Sequence, residues 1–401
     1  MSDKTIFNSK TFINDQVKKI KDILGAKKAI IACSGGVDST TCAVLAHRAV
    51  GDNLICIFID TGFMRLGEPE DVVKTLKEKS LNLPIKLVKA GDKFLENMKG
   101  LKDAEEKRKA FRDTFYLTLK DVAKAEKCQF LIQGTILPDI IETTKGIKTQ
   151  HNVLEQMNID PASVYGFKVV EPLASLYKFQ VREVAKDLGM SWAMSMRQPF
   201  PGPGLSVRVV GEITPDKLEV EKKATQIVEE NINLEMSKQY FAAVIDDVRI
   251  PYVKASEVES KLNSILGGKI RVRTQSLHDK ATGIKKGERQ YGRIALIDIL
   301  GEDGKCLKLP YKTLNETQET VISTDDSVSR TLYRITDLDK EGKLLVSIRA
   351  VDTLDFVKAT VSNIPWETLK KTGDSILASN PTVSAVYYDI TPKPPSSIEF
   401  E

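Results

Sequence analysis

The chain has 401 residues, 41% of them hydrophobic, and its 59 basic and 55 acidic side chains give a formal net charge of +4. This length and apolar content predict a globular protein of two or three domains, and so small a net charge is not what a nucleic-acid-binding protein is expected to carry. The five cysteines form no CxxC pair, and no segment approaches the roughly 20 apolar residues of a membrane span, so we expect a cytoplasmic protein with buried thiols that binds neither nucleic acid nor membrane.

Short apolar runs alternate with segments of helical period in the N-terminal part of the chain. Apolar runs that predict strands lie at residues 28–33, 54–60, 85–90 and 130–134, and segments that predict helices lie at 11–24, 68–80 and 103–127. Strands that are apolar throughout and separated by helices are typical of a parallel sheet covered on both faces. We therefore expect a doubly wound α/β domain that binds ligands at the carboxyl ends of its strands.

The first predicted strand ends in SGGVDS, residues 34–39, directly before a segment that can form a helix. Glycines let the backbone approach a ligand closely, and the N–H groups at a helix start attract anions such as phosphate. A carboxylate at such a site, here Asp38, fits a bound cation such as Mg²⁺. The lysine of the GxxxxGK[ST] phosphate loop is absent. The alternative is a tight turn between strand and helix, capped by Ser34 and Asp38 and without a ligand.

The SGGVDS stretch resembles the pyrophosphate-binding loop of the ATP-pyrophosphatase superfamily, which includes asparagine, NAD, argininosuccinate and GMP synthetases and tRNA-thiolating enzymes. Four later stretches resemble the GMP synthetase family, in the right order: EEKRKAFRDTF at 105–115, QGTILPDIIET at 133–143, RQPFPGPGLSVRVVGE at 197–212 and VYYDITPKPPSSIEFE at 386–401. The sequence is thereby identified as a member of that family.

The resemblance implies two domains. The first is a doubly wound ATP-pyrophosphatase domain of the adenine nucleotide alpha hydrolase type over residues 1–204, with a lid near 142–166. The second is a C-terminal α+β domain of the dimerisation type over residues 205–401, which binds XMP. The implied reaction is the ATP-dependent amination of XMP to GMP through an adenylyl-XMP intermediate, with release of AMP and pyrophosphate. ATP and Mg²⁺ are the implied cofactors.

Site residues follow from the resemblance, position by position. The residues implied to bind ATP are Ser34, Gly35, Gly36, Val37, Asp38, Ser39, Asp60, Gly134 and Thr135. The residues implied to bind XMP are Arg108, Gly202, Gly204, Arg289, Lys393 and Glu399. The implied catalytic residues are Asp38, Lys178, Lys148 and His151, the last two in the lid. The implied Mg²⁺ ligands are Asp38 and Gln180.

One position departs from the family. Where a glutamate usually helps to hold Mg²⁺, this chain has Gln180, in the run KFQVR. An amide oxygen binds Mg²⁺ more weakly, so either Asp38 and the phosphates carry more of the metal binding or Glu183 reaches the ion. NAD synthetases can carry a similar run, so the chain could instead be another PP-loop amidating ligase such as NAD synthetase. A second alternative is a non-catalytic relative that only binds nucleotide. A tRNA-thiolating enzyme is disfavoured because paired catalytic cysteines and a basic face are lacking.

Bifunctional members of the family carry an N-terminal glutaminase domain that supplies ammonia. Only 33 residues precede Ser34 in this sequence, which leaves no room for such a domain. We therefore expect the synthetase subunit of a split enzyme, which takes ammonia from a separate glutamine amidotransferase subunit or from solution.

An internal repeat is present in the C-terminal half. Residues 309–336 align without gaps on residues 364–391, and nine of the 28 pairs are identical, against about two expected by chance. The alternative is that two helix–strand segments share only a hydrophobic pattern. We expect repeated subdomains at about 205–336 and 337–401 that pack as a pseudo-dimer, in a chain that is a monomer or a homodimer. The second, whose tail carries Lys393, is expected to bind XMP, and the first to be mainly a packing partner.

Overall fold

The computed structural model describes residues 7–78, 80–144, 161–190, 200–267, 270–337, 341–353 and 357–401. These residues form two compact units: unit 1 takes those within Met1–Asn97 and Ala110–Gly202, and unit 2 those within Met98–Lys109 and Pro203–Glu401. The sequence resemblance predicted a domain boundary after residue 204 and therefore assigned residues 98–109 to the first domain. The structure groups that segment with unit 2, because Lys107 donates to the carbonyl oxygens of Val209 and Gly211, both at 2.8 Å.

Strands and helices alternate up to residue 187. The strands are β1 (Ala29–Ala32), β2 (Leu54–Asp60), β3 (Ile85–Lys89), β4 (Phe130–Ile132) and β5 (Lys168–Val170). The helices are α1 (Ser9–Leu24), α2 (Val37–Val50), α3 (Glu68–Lys77), α4 (Gly91–Met98), α5 (Ala104–Ala125), α6 (Leu137–Thr144), α7 (Pro161–Tyr165) and α8 (Lys178–Asp187). The four predicted strands are therefore present as β1 to β4.

The sheet of unit 1 is parallel throughout, in the order β3-β2-β1-β4-β5. Its strands form where the sequence is apolar: β1 is almost entirely buried, and α1, α2 and α8 pack against one another. The direction of strand order reverses at β1, whose neighbours are β2 on one side and β4 on the other. Ligands of doubly wound sheets bind at the carboxyl ends of the strands at such a point. The predicted doubly wound α/β fold is confirmed.

Unit 2 is built on a mixed sheet of eight strands. The strands are β6 (Gln239–Asp246), β7 (Arg249–Ile250), β8 (Arg271–Lys285), β9 (Glu288–Leu300), β10 (Val328–Arg334), β11 (Leu344–Asp352), β12 (Thr360–Val361) and β13 (Val383–Asp389). The helices are α9 (Pro215–Asn231), α10 (Ala255–Leu266), α11 (Tyr311–Thr324) and α12 (Trp366–Ser379). The strand order is β12-β11-β13-β10-β9-β8-β7, with β6 paired to β11.

The internal repeat is also a structural repeat. In β9-α11-β10 and in β11-α12-β13, a helix of 14 residues connects two parallel strands, the second of which has 7 residues. β10 and β13 pair antiparallel, with Tyr333 opposite Tyr388, and these two tyrosines occupy equivalent positions of the repeat. A pseudo-two-fold axis therefore passes through this pair.

The two repeats also share an irregularity. The pairing of β10 with β9 shifts register between Val328 and Arg330, and the pairing of β13 with β11 shifts between the equivalent residues Val383 and Ala385. A bulge is a specific local feature that a hydrophobic pattern does not dictate. The shared bulge therefore argues against the alternative that the two segments share only such a pattern.

The copies are nested in the chain. β6 precedes both repeats, yet it pairs with β11, just as β8 pairs with β9. α9 packs against α12 in the same way as α10 packs against α11. We call α10, β8, β9, α11 and β10 the inner copy, and α9, β6, β11, α12 and β13 the outer copy. The predicted division between residues 336 and 337 assumed that one copy follows the other along the chain. In the structure β6, which lies before this division, pairs with β11, which lies after it, so the outer copy is formed from both sides of the division.

No helix within the described ranges combines the length and the apolarity that crossing a membrane requires.

Candidate nucleotide sites

Glycines and serines shape the loop between β1 and α2. Gly35 has a φ of +76°, a left-handed conformation that glycine adopts without strain. Ser39 Oγ accepts the Ser34 N–H at 3.1 Å and lies 2.9 Å from Ser34 Oγ, so the serines tie the loop to the helix. Gly36 precedes Val37, the first residue of α2, and no side chain caps this end of the helix. The loop and the helix start therefore present backbone N–H groups in an arrangement suited to an anion.

Asp38 lies in the first turn of α2 and pairs with Lys178, the first residue of α8. Lys178 Nζ is 2.5 Å from Asp38 Oδ2. The other carboxylate oxygen, Oδ1, is buried and has no hydrogen-bond partner. Leaving a buried acceptor unsatisfied costs free energy unless a ligand takes it. Asp38 Oδ1 therefore fits a hard cation such as Mg²⁺, which prefers carboxylate and phosphate oxygens.

Asp60, the last residue of β2, stabilises the turn that follows that strand. Its Oδ1 accepts the Gly62 N–H at 2.9 Å. Gly62 has a φ of +79°, and a Cβ added there would meet Gly91 Cα at 3.0 Å. Asp60 is half-buried at the carboxyl edge of the sheet. Its contact with the ribose of ATP stays a prediction.

Gly134 and Thr135 follow β4 and differ in what they contact. A Cβ on Gly134 would meet Ser39 N at 3.1 Å and Asp38 C at 3.2 Å, so this glycine allows the end of β4 to lie against the start of α2. Thr135 is fully buried, and its hydroxyl donates to Glu171 Oε1 at 2.6 Å. Thr135 was predicted to face the nucleotide, whereas here its side chain is engaged inside the unit because Glu171, just after β5, accepts its proton.

Gln180 takes part in capping α8. Its Oε1 accepts the Tyr177 N–H at 2.8 Å, as in a capping box. This hydrogen bond uses the amide oxygen that the sequence suggested as a Mg²⁺ ligand. Glu183, the alternative ligand, has an exposed side chain. Among these three residues, Asp38 is the one with a buried oxygen open to a cation.

The remaining catalytic residues predicted from the sequence, Lys148 and His151, lie outside the described residues, as does most of the predicted lid at 142–166.

Two arginines of unit 2 that were predicted to bind XMP share one carboxylate. Arg289 pairs with Glu105, and Arg108 Nε is 4.0 Å from the same Glu105 oxygen. Arg108 Nε is buried without a hydrogen-bond partner, and its Nη2 donates to the carbonyl oxygen of Glu401. Burial, and then the neighbouring Arg289, lowers the pKa of Arg108. Two guanidinium groups held close together are suited to binding a phosphomonoester.

The remaining predicted XMP residues of unit 2 lie before α9 and after β13. Arg208 holds Glu399 with two hydrogen bonds, Nε to Oε2 at 3.0 Å and Nη2 to Oε1 at 3.1 Å. Lys393 is half-buried, and its backbone pairs with that of Ala359. Gly204 begins a short 3-10 turn with a φ of +63°. The other predicted glycine, Gly202, belongs to unit 1 and is exposed.

Sequence reasoning missed three residues that organise these sites: Lys107, Glu171 and Arg208. Lys107 is buried and paired with Glu401, Arg208 holds Glu399, and Glu171 binds Thr135. Lys107 and Arg208 both lie in stretches that resemble the family, so the signal was present. The packing of elements that are distant in the sequence decides which charged side chain of such a stretch points inward. The sequence alone does not show that packing.

Two family models match the chain, a PP-loop domain over residues 9–195 and a GMP synthase C terminal domain over residues 339–400. The B subunit of the GMP synthase [glutamine-hydrolyzing] of Sulfurisphaera tokodaii is 42% identical over 395 residues, covering 98% of this chain and 100% of that protein. The corresponding B subunit of Methanopyrus kandleri is 37% identical over 406 residues, covering 99% of this chain and 100% of that protein. The chain belongs to the family of GMP synthase B subunits.

As a member of this GMP synthase family, the chain is an enzyme with an ATP-using PP-loop domain. The C-terminal family model covers β11, α12 and β13 of the outer copy together with the residues up to 400. Among solved structures, an NMN synthetase from Francisella tularensis matches with a TM-score of 0.38 and 17% identity, covering 50% of this chain and 79% of that chain, a likeness too distant to bear on function.

Proposed function

We propose that the chain converts XMP, ATP and ammonia into GMP, AMP and pyrophosphate through an adenylyl-XMP intermediate. The supporting observation is a PP-loop in a chain that is 42% identical to a GMP synthase B subunit over 98% of its length. The helix that follows this loop has no side-chain cap, and one Asp38 carboxylate oxygen is buried without a hydrogen-bond partner. The loop suits the phosphates of ATP, and the likeness to a GMP synthase suggests which nucleotide is activated.

In the first step the xanthine C2 oxygen attacks the α-phosphorus of ATP, and pyrophosphate leaves with the electron pair of the broken P–O bond. Negative charge grows on the departing pyrophosphate. The N–H groups at the start of α2 and the Lys178 ammonium are the groups that would stabilise this charge. Mg²⁺ held by Asp38 Oδ1 and phosphate oxygens would neutralise further charge, and Gln180 could join only by leaving the Tyr177 N–H.

In the second step ammonia attacks C2 of the adenylylated purine, AMP leaves with the oxygen that came from XMP, and a proton is lost to solvent. Arg108 and Arg289, with Lys393 of the C-terminal tail, are proposed to hold the phosphate of XMP so that C2 stays in place. Lys148 and His151 of the predicted lid are proposed to neutralise phosphate charge. The lid itself is proposed to keep water away from the adenylate, which water would hydrolyse.

The ammonia is proposed to come from a separate glutamine amidotransferase subunit. The relatives are named as the B subunit of a glutamine-hydrolysing enzyme, which supports a division of the two activities between chains. Free ammonium at high concentration should then replace the partner.

Isotope transfer tests the intermediate. XMP labelled with ¹⁸O at C2 is incubated with the chain, ATP, Mg²⁺ and ammonium, and the products are analysed by mass spectrometry. We expect one ¹⁸O in the phosphate of AMP for each GMP formed, because the C2 oxygen leaves with AMP. Unlabelled AMP alongside GMP would rule out adenylyl-XMP. Turnover of deamido-NAD in place of XMP would favour another amidating ligase, and no pyrophosphate with either substrate would favour a non-catalytic relative.

A further inference from the structure

The C-terminal tail, which we define as residues 391–401, is present in only one of the two copies. It follows β13 of the outer copy. At the equivalent point of the inner copy, after Thr336, the chain continues toward β11 instead. The tail carries Lys393 and Glu399, both of which the family resemblance implies to bind XMP. What holds this tail in place therefore bears on substrate binding.

The inner copy holds the tail along β8. The Ile284 N–H donates to the Pro395 carbonyl oxygen at 2.7 Å, and the Thr282 N–H donates to the Phe400 carbonyl oxygen at 2.7 Å. Between them, a Cβ on Gly283 would meet the Pro395 oxygen at 2.8 Å, closer than real contacts allow. Glycine at this position lets the tail lie directly on the strand.

A buried arginine from each copy also binds the tail. Arg330 of β10 and Arg349 of β11 are both fully buried, and both pair with Asp389, at 2.6 and 3.0 Å. Arg349 donates to Ser396 Oγ at 2.7 Å. Arg330 donates to the Ser397 carbonyl oxygen at 3.0 Å and to the Glu399 carbonyl oxygen. Burial lowers the pKa of Arg330 to about 10, which leaves the guanidinium charged at neutral pH.

The two copies have diverged at these positions. Arg330 is equivalent to Ala385 of the outer copy, and Asp389 is equivalent to Arg334 of the inner copy. The outer copy therefore supplies the tail and the aspartate, but has no arginine at the position from which Arg330 reaches the tail. A symmetric pair of identical copies would have the same residue at both positions. Arg330 and the tail are instead divided between the copies, whereas Arg349 belongs to the same copy as the tail.

We propose that the inner copy is the positioning element for the XMP-binding tail, acting through Arg330 and β8, so that a single chain holds its own tail without a second copy. This inference rests on the proposed function only in naming XMP as the ligand of the tail. It corrects the expectation that the first repeat is mainly a packing partner, because that repeat binds the tail directly.

The first experiment measures amide hydrogen exchange in Arg330→Lys. Lysine keeps the charge opposite Asp389, but one ammonium cannot reach Asp389 and the carbonyl oxygens of Ser397 and Glu399 together. We expect amides of residues 396–401 to exchange at least ~10-fold faster, with β10 and β13 unchanged. The control is Arg271→Lys, an exposed arginine at the start of β8. Equal tail exchange in Arg330→Lys and wild type would overturn the proposal.

A second variant keeps the test decisive if Arg330→Lys fails to fold. Gly283→Ala places a methyl group against the Pro395 oxygen and against Ser329 Cβ of β10, both at 2.8 Å, and keeps the Arg330 side chain. It should also raise tail exchange, whereas an unchanged tail would contradict the role of β8. In both variants KM for XMP should rise by about 10-fold with little change in kcat or in KM for ATP. If XMP is not the substrate, the exchange result still decides whether the inner copy holds the tail.

The second experiment varies the concentration of the wild-type chain. Sedimentation gives the mass, and exchange of residues 396–401 is followed over the same range, from nanomolar to micromolar chain. We expect tail protection to be independent of concentration, including where the mass is that of one chain, 44.6 kDa. Protection that appears only as a dimer forms would overturn the proposal, because the tail would then depend on a second copy.

Discussion

One carboxylate oxygen of Asp38 forms an ion pair with Lys178, and the other is buried without a hydrogen-bond partner. In Asp38→Asn the charge that would hold the cation is lost, while no apolar contact is removed. We expect pyrophosphate release to fall by at least ~100-fold, with an unchanged unfolding transition. The measurement is the rate of pyrophosphate formation at saturating ATP and XMP. Asp52→Asn, an exposed aspartate just after α2, is the control, and comparable activity in both variants would contradict the assignment of Asp38.

Gln180 uses its amide oxygen to accept the Tyr177 N–H. In Gln180→Glu one carboxylate oxygen can keep that hydrogen bond while the second becomes available to a cation. We expect the Mg²⁺ concentration for half-maximal activity to fall several-fold, as measured by titrating Mg²⁺ at fixed ATP. The same titration curve for variant and wild type would show that position 180 does not reach the metal.

Glu401 is a buried carboxylate next to Lys107. Burial raises the pKa of Glu401 from its ordinary value of 4.5 to about 7. Between these values the folded protein binds more protons than the unfolded chain, so the free energy of unfolding falls as pH rises, by at most about 1.4 kcal/mol per pH unit. Glu401→Gln should reduce this slope in urea unfolding at pH 5 to 7, and the part that remains comes from the buried Glu221, whose pKa is also raised by burial. The exposed Glu235→Gln should keep the full slope, and a slope in Glu401→Gln equal to that of the wild type would refute the assignment.

At the scale of elements, the candidate ATP site depends on how closely β4 meets α2. Both β1 and β4 end at the point where the strand order reverses, and Gly134 allows Asp38 and Ser39 to lie against the end of β4. The loop is therefore held from two sides, by the two serines within it and by the neighbouring strand. The positions of its N–H groups follow from this packing.

Gly134→Ala should disturb the loop without adding or removing charge. The new Cβ would lie 3.1 Å from Ser39 N and 3.2 Å from Asp38 C, and backbone atoms yield less readily than side chains. We expect the free energy of unfolding to fall by roughly 1–3 kcal/mol and KM for ATP to rise several-fold, with KM for XMP unchanged. Steady-state kinetics with each substrate varied in turn measure the difference. An equal rise in both KM values would mean general destabilisation.

At the scale of the whole molecule, the cysteines of this chain are unsuited to hydrolysing glutamine. Cys33, Cys42, Cys56 and Cys128 are buried, and burial raises the pKa of the fifth, Cys306, to about 12. A thiol acts as a nucleophile through its thiolate, which requires exposure and a lowered pKa. None of these five thiols therefore suits the role of a glutaminase nucleophile.

We expect the purified chain to form GMP with ammonium and not with glutamine alone. The rate at fixed total ammonium should rise with pH from 7 to 8.5, because ammonia, the nucleophile, becomes a larger fraction. Chromatography of the nucleotides gives the rate, and a nucleotide-free blank with glutamine is the control. GMP formation from glutamine by a preparation free of other proteins would contradict the division of the two activities between chains.

The sequence by itself determined the alternation of strands and helices, the position of the PP-loop and the presence of a repeat. Each of these depends on short-range patterns: buried strands are apolar, a loop that approaches phosphate needs glycine, and aligned helix–strand segments keep matching prolines and tyrosines. The placement of Ser34 to Ser39 between β1 and α2 follows from such patterns. The family resemblance, carried by five short stretches, pointed to the reaction.

Only the tertiary structure decided which polar side chains face inward and how the copies are arranged. The Thr135 side chain faces inward because Glu171, 36 residues later in the sequence, accepts its hydroxyl proton. The nesting of the copies depends on β6 pairing with β11, which lies about 100 residues later and has no local signal. Arg330 reaches the tail because two copies pair around Tyr333 and Tyr388. The pairing of strands that are distant in the sequence depends on the whole sheet, so a local sequence pattern does not predict it.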